Sequence, residues 1–167
     1  MPDAFRDNAL ILGVLGVIAI VYGAYVALGQ SDFKKMVAYS SVSHMGFVVL
    51  GMAALTEWGM SGAALQMFNH GTSAAACQVM PRYWALSTVA FFASLGLPGM
   101  AGFVSEAMTL VGSFQSTVGL SAEQLAAGDT IFGPYQWLVM GACLGIVLTA
   151  AYILWALQRV FLGPLNE

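Results

Sequence analysis

The sequence carries very little charge. Of its 167 residues, 8% are charged and 59% are hydrophobic, with a mean hydropathy of +0.81, whereas soluble domains contain roughly 25% charged residues. A chain of this composition cannot cover itself with polar surface, which excludes a soluble globular domain. Because its five bases are scattered among eight acids, no basic surface for DNA or RNA is expected.

Cysteine and the common cofactor motifs are also scarce. Cys77 and Cys143 lie inside apolar runs without the CxxC spacing or the paired histidines of a zinc site, so we expect both to be inert core residues. The sequence contains no GxGxxG or Walker motif, no haem-ligand pair and no iron–sulfur cysteine set. No cofactor and no metal is therefore expected in this chain. The first residues also lack the order of segments that makes a signal peptide.

Long uncharged runs dominate what is present. Because a helix crosses the hydrocarbon core with roughly 20 apolar residues, the sequence predicts an all-α integral membrane protein with about five transmembrane helices. These helices form a single membrane domain, residues 1–167. The predicted crossings comprise residues 8–30, 36–55, 60–80, 84–114 and 130–157.

The fourth predicted crossing contains a break. Its centre reads Gly96-Leu97-Pro98-Gly99, where proline removes a backbone donor and clashes with the preceding turn. A broken helix at membrane depth is tolerated only where protein or a water-filled cavity satisfies the freed backbone groups. The pattern therefore predicts a discontinuous helix around Gly96–Gly99, with Pro98 and Gly99 as its structural residues.

The basic residues predict an orientation, since lysine and arginine are retained on the cytoplasmic side of a membrane. With five crossings, four of the five bases share one side: Lys34, Lys35, Arg82 and Arg159. Three acids fall on the other side: Glu57, Glu123 and Asp129. We predict an outward amino terminus and a cytoplasmic carboxyl terminus, with Lys34 as an interfacial anchor.

Three titratable side chains lie within the predicted crossings: His44, His70 and Glu106. Because an ionisable group in hydrocarbon costs at least a few kcal/mol, it normally faces a bundle interior or a water-filled path and marks function. Glu106 lies about two helical turns after Pro98 and Gly99, which predicts a mid-membrane carboxylate beside freed backbone groups. We predict that all three relay protons. The alternative for each is a hydrogen-bonded side chain that serves packing alone.

Three motifs follow one another along the chain. They are QSDFKKMVAYSSVSHMGF at residues 30–47, QMFNHGTSA at residues 66–74 and SLGLPGMAGFVSE at residues 94–106. In this order they resemble the antiporter-like membrane subunits of NADH-quinone oxidoreductase (complex I), and within that family the subunit M, or chain 4, group.

The resemblance implies a fold and a role for each titratable residue. Members of the family consist of two inverted five-helix repeats, and this chain resembles helices nine to thirteen, with a segment missing near residues 76–79. The resemblance implies that His44 and His70 lie on the connecting proton path. It also implies that Glu106 is the acidic site on the broken twelfth helix, where chains 2 and 5 and cation/proton antiporter subunits usually carry lysine.

The same resemblance implies a function and a set of partners. The expected function is proton translocation in the inner membrane of a bacterium, together with other membrane subunits of complex I, lipid, protons and internal water. NADH, FMN, iron–sulfur clusters and quinone are expected in sister subunits, so this chain would carry no redox step. Two alternatives stay open: a cation/proton antiporter subunit, and a structural membrane fragment that conducts nothing.

Overall fold

The chain folds into helices throughout the part that the structure describes. The computed structural model describes residues 2–79, 92–93, 100–120 and 133–161, and it contains no strand within them. Its helices with described bounds are α1 (Pro2–Asp7), α2 (Ala9–Leu28), α3 (Phe33–Ala53), α4 (Glu57–Val79), α5 (Ala101–Phe114) and α6 (Pro134–Phe161). The prediction of an all-α membrane fold is confirmed.

Three of the described helices are long and apolar enough to cross a membrane. They are α2, α3 and the Pro134–Arg159 part of α6. With 23 residues, α4 also has the length of a crossing, but it is more polar. The 14 residues of α5 match the carboxyl half of the fourth predicted crossing. The predicted break at Gly96–Gly99, with Pro98 and Gly99, lies outside the described residues, and the count of five crossings stays a prediction.

Side-chain caps set where two of these helices begin. The Asp32 carboxylate accepts a hydrogen bond from the Lys34 N–H at 3.0 Å, and α3 starts at Phe33. The Thr56 hydroxyl accepts from the Gly59 N–H at 3.1 Å, and α4 starts at Glu57. Because such caps satisfy backbone donors that the first helical turn leaves free, both helices begin three residues before the predicted crossings.

Glycines bring α2 and α3 close together. A Cβ added to Gly46 would lie 2.7 Å from the carbonyl oxygen of Gly16, and one added to Gly23 would lie 2.8 Å from the Ser43 nitrogen. Across the same contact the Ser43 hydroxyl donates to the Ile20 carbonyl at 3.0 Å. Close backbone approach through small residues, reinforced by hydrogen bonds, is typical of helix pairs in membranes.

Many large apolar side chains point outward. They repeat every three or four residues on the outer faces of α2 and α6, as the helical period requires: Ile11, Leu15, Ile18 and Tyr22, then Trp137, Met140, Leu144 and Val147. An apolar outer surface around small interior residues suits contact with lipid. Cys143 is exposed between Met140 and Leu144, so the prediction that it is a core residue is wrong. The Cys77 side chain lies outside the described residues.

The two ends of the bundle differ in charge. One buried apolar cluster joins the end of α2, the start of α3 and the end of α6 through Ala27, Met36 and Tyr152. Lys34, Lys35 and Arg159 therefore lie at one end, where the Arg159 guanidinium stacks on Trp155 at 4.6 Å. A second cluster, which includes Ala53 and Tyr135, joins the opposite helix ends near Glu57. Arg6 lies at that opposite end, beside Leu55 and Thr56, and the orientation of the chain stays a prediction.

Candidate functional site

Three helices contribute polar side chains to one interior cluster, here called the polar cluster. Its members are Ser41 and His44 on α3, Gln66, Asn69 and His70 on α4, and Ser105 and Glu106 on α5. On α4 the spacing i, i+3, i+4 turns all three side chains to one face. Only Ser41 and His70 are half-buried, whereas the other five are buried.

His44 and Glu106 form the centre of the polar cluster. The Nδ1 atom of His44 lies 3.6 Å from the Oε1 atom of Glu106, with both side chains at most 6% exposed. This separation is too long for a hydrogen bond and short enough for strong attraction between opposite charges in a low-dielectric interior. A proton can pass between these atoms after a small side-chain movement or through one water molecule.

Neutral groups fix the position of the His44 ring. The amide nitrogen of Gln66 lies 3.1 Å from His44 Nδ1, and the amide oxygen of Gln66 accepts a hydrogen bond from the Ser105 hydroxyl. Asn69 in turn donates to the Ser105 oxygen at 3.3 Å. Because buried polar groups need partners, this chain of contacts orders α3, α4 and α5 around the carboxyl group.

His70 forms the accessible edge of the polar cluster. Its ring centroid lies 5.0 Å from that of His44, with an angle of 33° between the ring planes. Its Nε2 atom lies 3.0 Å from the Ser41 hydroxyl. Beside it, a Cβ added to Gly71 would meet no atom within 4 Å. The two imidazoles thus form a short series from the half-buried edge to the buried Glu106.

A small cavity of about 10 Å³ adjoins both histidines. This volume is close to the lower limit for one enclosed water molecule, which needs two to four polar partners. The lining supplies such partners: His44, Gln66, Asn69, His70 and Ser73, together with Ala93 and Gly102. The cavity therefore has the size and polarity to hold a single water beside the two imidazoles.

Every described residue of the predicted relay lies in this one place. His44, His70 and Glu106 come together although they belong to three helices. Lys34 is exposed near the start of α3, about 15 Å along the helix from His44 by the helical rise. Within the described residues no group of three His, Cys, Asp or Glu side chains could hold a metal ion.

Sequence reasoning missed four members of the polar cluster: Gln66, Asn69, Ser105 and Ser41. The signal that could have found the first two is their helical spacing from His70, which places all three side chains on one face. Ser105 carried no comparable signal, because its position next to Glu106 in sequence does not reveal which side chain it contacts. Its role depends on how α4 packs against α5.

A carboxyl group and two imidazoles enclosed by apolar, lipid-facing helices define a membrane protein with a candidate proton site. Residues 4–80 match the family model described as NADH:quinone oxidoreductase/Mrp antiporter, TM. Over these residues the chain is similar to that family of antiporter-like transmembrane proteins, and it is itself an integral membrane protein.

The relatives are quinone oxidoreductase subunits. The chain is 38% identical over 190 aligned residues to NAD(P)H-quinone oxidoreductase chain 4 3 of Trichormus variabilis, with 100% of this chain and 33% of the relative covered. It is 40% identical over 186 residues to chain 4 2 of Microcystis aeruginosa, with 98% and 32% covered. For chain 4-1 of a Synechocystis strain the identity is 37% over 190 residues, with 100% and 34% covered.

The length of the alignments shows how much of a chain-4 relative this chain matches. The chain spans about a third of the length of the relatives it matches. The 190 aligned positions also exceed the 167 residues of the chain, so the relatives have residues for which this chain has none. This excess fits the internal shortening expected near residues 76–79.

Proposed function

We propose that this chain forms the proton-translocating part of a chain-4-type membrane subunit of NAD(P)H-quinone oxidoreductase. The single observation that carries the proposal is the buried pair of His44 and Glu106, 3.6 Å apart among membrane helices. Ionisable groups at such depth are costly and mark ion or proton pathways. The match of residues 4–80 to the family model includes both histidines.

The chemistry of the proposal is reversible proton exchange within the polar cluster. A protonated Glu106 gives its proton to His44 Nδ1, which leaves a carboxylate beside an imidazolium and keeps the net charge of the pair at zero. The imidazolium then releases a proton from its other nitrogen toward His70 or the water-sized cavity beside the rings. Histidine suits this step because its two nitrogens can take up and release protons on different sides.

Internal water is part of the proposal. Several buried oxygen atoms in the described residues have no hydrogen-bond partner in the protein, among them those of Thr109, Ser113 and Thr149. Because buried polar groups without protein partners commonly bind ordered water, such atoms support hydration of the bundle interior. Hydration would extend the path beyond the three titratable side chains.

The proposed setting follows from the relatives and from the charge separation. The relatives are bacterial subunits of the same oxidoreductase, which supports other membrane subunits of that complex as partners in a bacterial inner membrane. The end of the bundle that carries Lys34, Lys35 and Arg159 would face the cytoplasm. With five crossings the amino terminus then lies outside.

Proton flux in liposomes tests the proposal. The chain is reconstituted with a pH-sensitive dye inside the vesicles, and a potassium gradient with valinomycin drives proton entry. Glu106→Gln, which keeps the shape but cannot ionise, should abolish the flux. The matched control is Glu57→Gln, since Glu57 is exposed at the start of α4. Equal flux for the chain and Glu106→Gln would refute the proposal, and no flux from either would favour the structural fragment.

A cation/proton antiporter subunit is the second candidate, because the matching family description names Mrp antiporters beside the oxidoreductase. The family resemblance argues against this candidate, because cation/proton antiporter subunits usually carry lysine at the place where this chain has Glu106. The same liposomes distinguish the two functions. Flux that requires a sodium gradient would support the antiporter, whereas flux without sodium supports the quinone oxidoreductase subunit.

A further inference from the structure

Gln66 connects His44 to Ser105 through the two ends of its side-chain amide. The amide nitrogen lies 3.1 Å from His44 Nδ1, and the amide oxygen accepts from the Ser105 hydroxyl. All three side chains are buried. An amide offers donors at one end and an acceptor at the other, so a half-turn about its last bond exchanges a donor for an acceptor at each contact.

The first orientation of the amide requires a neutral His44 with no proton on Nδ1. The Gln66 amide donates to Nδ1, which places the single ring proton on Nε2. Ser105 then gives its one hydroxyl proton to the Gln66 oxygen. In this arrangement a donor occupies the atom that faces Glu106, so His44 Nδ1 accepts a proton from the carboxyl group only as the amide turns away.

In the second orientation the Gln66 amide again forms a hydrogen bond at each of its two ends. The Gln66 oxygen faces a protonated Nδ1, and its amide hydrogens face the Ser105 oxygen. Ser105 then donates to the Gly102 carbonyl, which already lies 2.9 Å from its hydroxyl. Each of these contacts again pairs a donor with an acceptor, but the arrangement exists only when Nδ1 carries a proton. Nδ1 is also the nitrogen that lies 3.6 Å from Glu106.

We propose that Gln66 is a positioning residue whose amide turns over when His44 gains a proton at Nδ1, and that the turn controls proton exchange between Glu106 and His44. The part that concerns Glu106 rests on the proposed function. The linked change at Gln66 and Ser105 does not, since it requires only that His44 takes up a proton. Gln66 acts through hydrogen bonds and is not itself a proton carrier.

Nitrogen NMR of the whole chain in lipid nanodiscs tests the inference. With ¹⁵N in histidine and glutamine side chains, neutral His44 should show the form protonated at Nε2. On acidification the Gln66 amide signal should move in step with the His44 ring signals. The described titratable groups around them, His70, Glu106 and Tyr152, are assigned in the same spectra through single substitutions.

Substitution removes the amide without removing the histidine. Gln66→Met keeps the length of the side chain but has no donor for Nδ1, so neutral His44 should populate both ring forms. Gln136→Met is the matched control, because the Gln136 amide is also buried but donates to the Phe114 carbonyl. Should Gln66→Met not fold, Ser105→Ala provides a second variant, in which Gln66 should populate both orientations while His44 is neutral.

Two results would overturn the inference. One is a Gln66 signal that stays fixed while His44 is protonated, and the other is an unchanged single ring form of His44 in Gln66→Met. Flux that is insensitive to Glu106→Gln would defeat the proposed function and leave the NMR result intact.

Discussion

The Glu106 carboxyl group and the His44 imidazole approach to 3.6 Å between α5 and α3, and both side chains are buried. The helices that carry them are held on either side of α4, whose polar face supplies Gln66, Asn69 and His70 to the same cluster. Because each group would be costly to bury alone, the pair should be energetically coupled as well as close.

A double-mutant cycle measures this coupling. We expect His44→Asn and Glu106→Gln each to lower the free energy of unfolding, with a coupling of about 1 kcal/mol, since residues in contact are not additive. Unfolding is followed by circular dichroism in mixed micelles with increasing dodecyl sulfate. Glu57→Gln replaces Glu106→Gln in the control cycle and should add to His44→Asn without coupling. Additive effects in the first cycle would contradict the contact.

The close approach of α2 and α3 predicts an asymmetry between two glycines. Gly46→Ala should lower the free energy of unfolding by about 1–3 kcal/mol, because its Cβ would lie 2.7 Å from the Gly16 carbonyl oxygen. Gly71→Ala meets no atom within 4 Å and should be neutral or stabilising by up to about 1 kcal/mol, since alanine is the better helix former. Equal effects of the two changes in the same unfolding assay would show that this helix contact is wrong.

Tyr135 predicts a second stability difference. Its hydroxyl lies 2.9 Å from the Ala9 carbonyl oxygen and 2.6 Å from that of Ala53, and thereby joins α6 to the ends of α2 and α3. Tyr135→Phe should cost about 1–2 kcal/mol in the free energy of unfolding, because buried carbonyl groups lose a donor. Tyr25→Phe serves as control, since Tyr25 is 68% exposed. Its effect should be close to zero, and a cost as large as that of Tyr135→Phe would refute the assignment.

Cysteine labelling tests the orientation. In a background of Cys77→Ser and Cys143→Ser, Lys34→Cys and Glu57→Cys should react with a membrane-impermeant maleimide from opposite sides. Lys34 lies in the first turn of α3 and Glu57 follows its end, and α3 is long and apolar enough to cross. We expect Lys34→Cys to react only after the cytoplasmic side is opened, as its neighbouring bases predict. Reaction of both from the same side would show that α3 does not cross the membrane.

The helices were largely predictable from the sequence, and their exact starts were not. Runs without charge identified α2, α3 and α6 because the bilayer fixes the length of a crossing. The starts of α3 and α4 depend on whether Asp32 and Thr56 turn their side chains toward the first helical turn. Cys143 shows a second limit of sequence reasoning, since an apolar run does not reveal which of its faces contacts lipid.

The sequence by itself determined that this protein lies in a membrane, and it singled out His44, His70 and Glu106, because charge and titratable groups are too costly in hydrocarbon to occur without a reason. Only the tertiary structure decided that these residues meet, and that Gln66 and Ser105 join them. Helical periodicity orders side chains within one helix, whereas contacts between helices depend on the close backbone approach that glycines such as Gly16 and Gly46 permit.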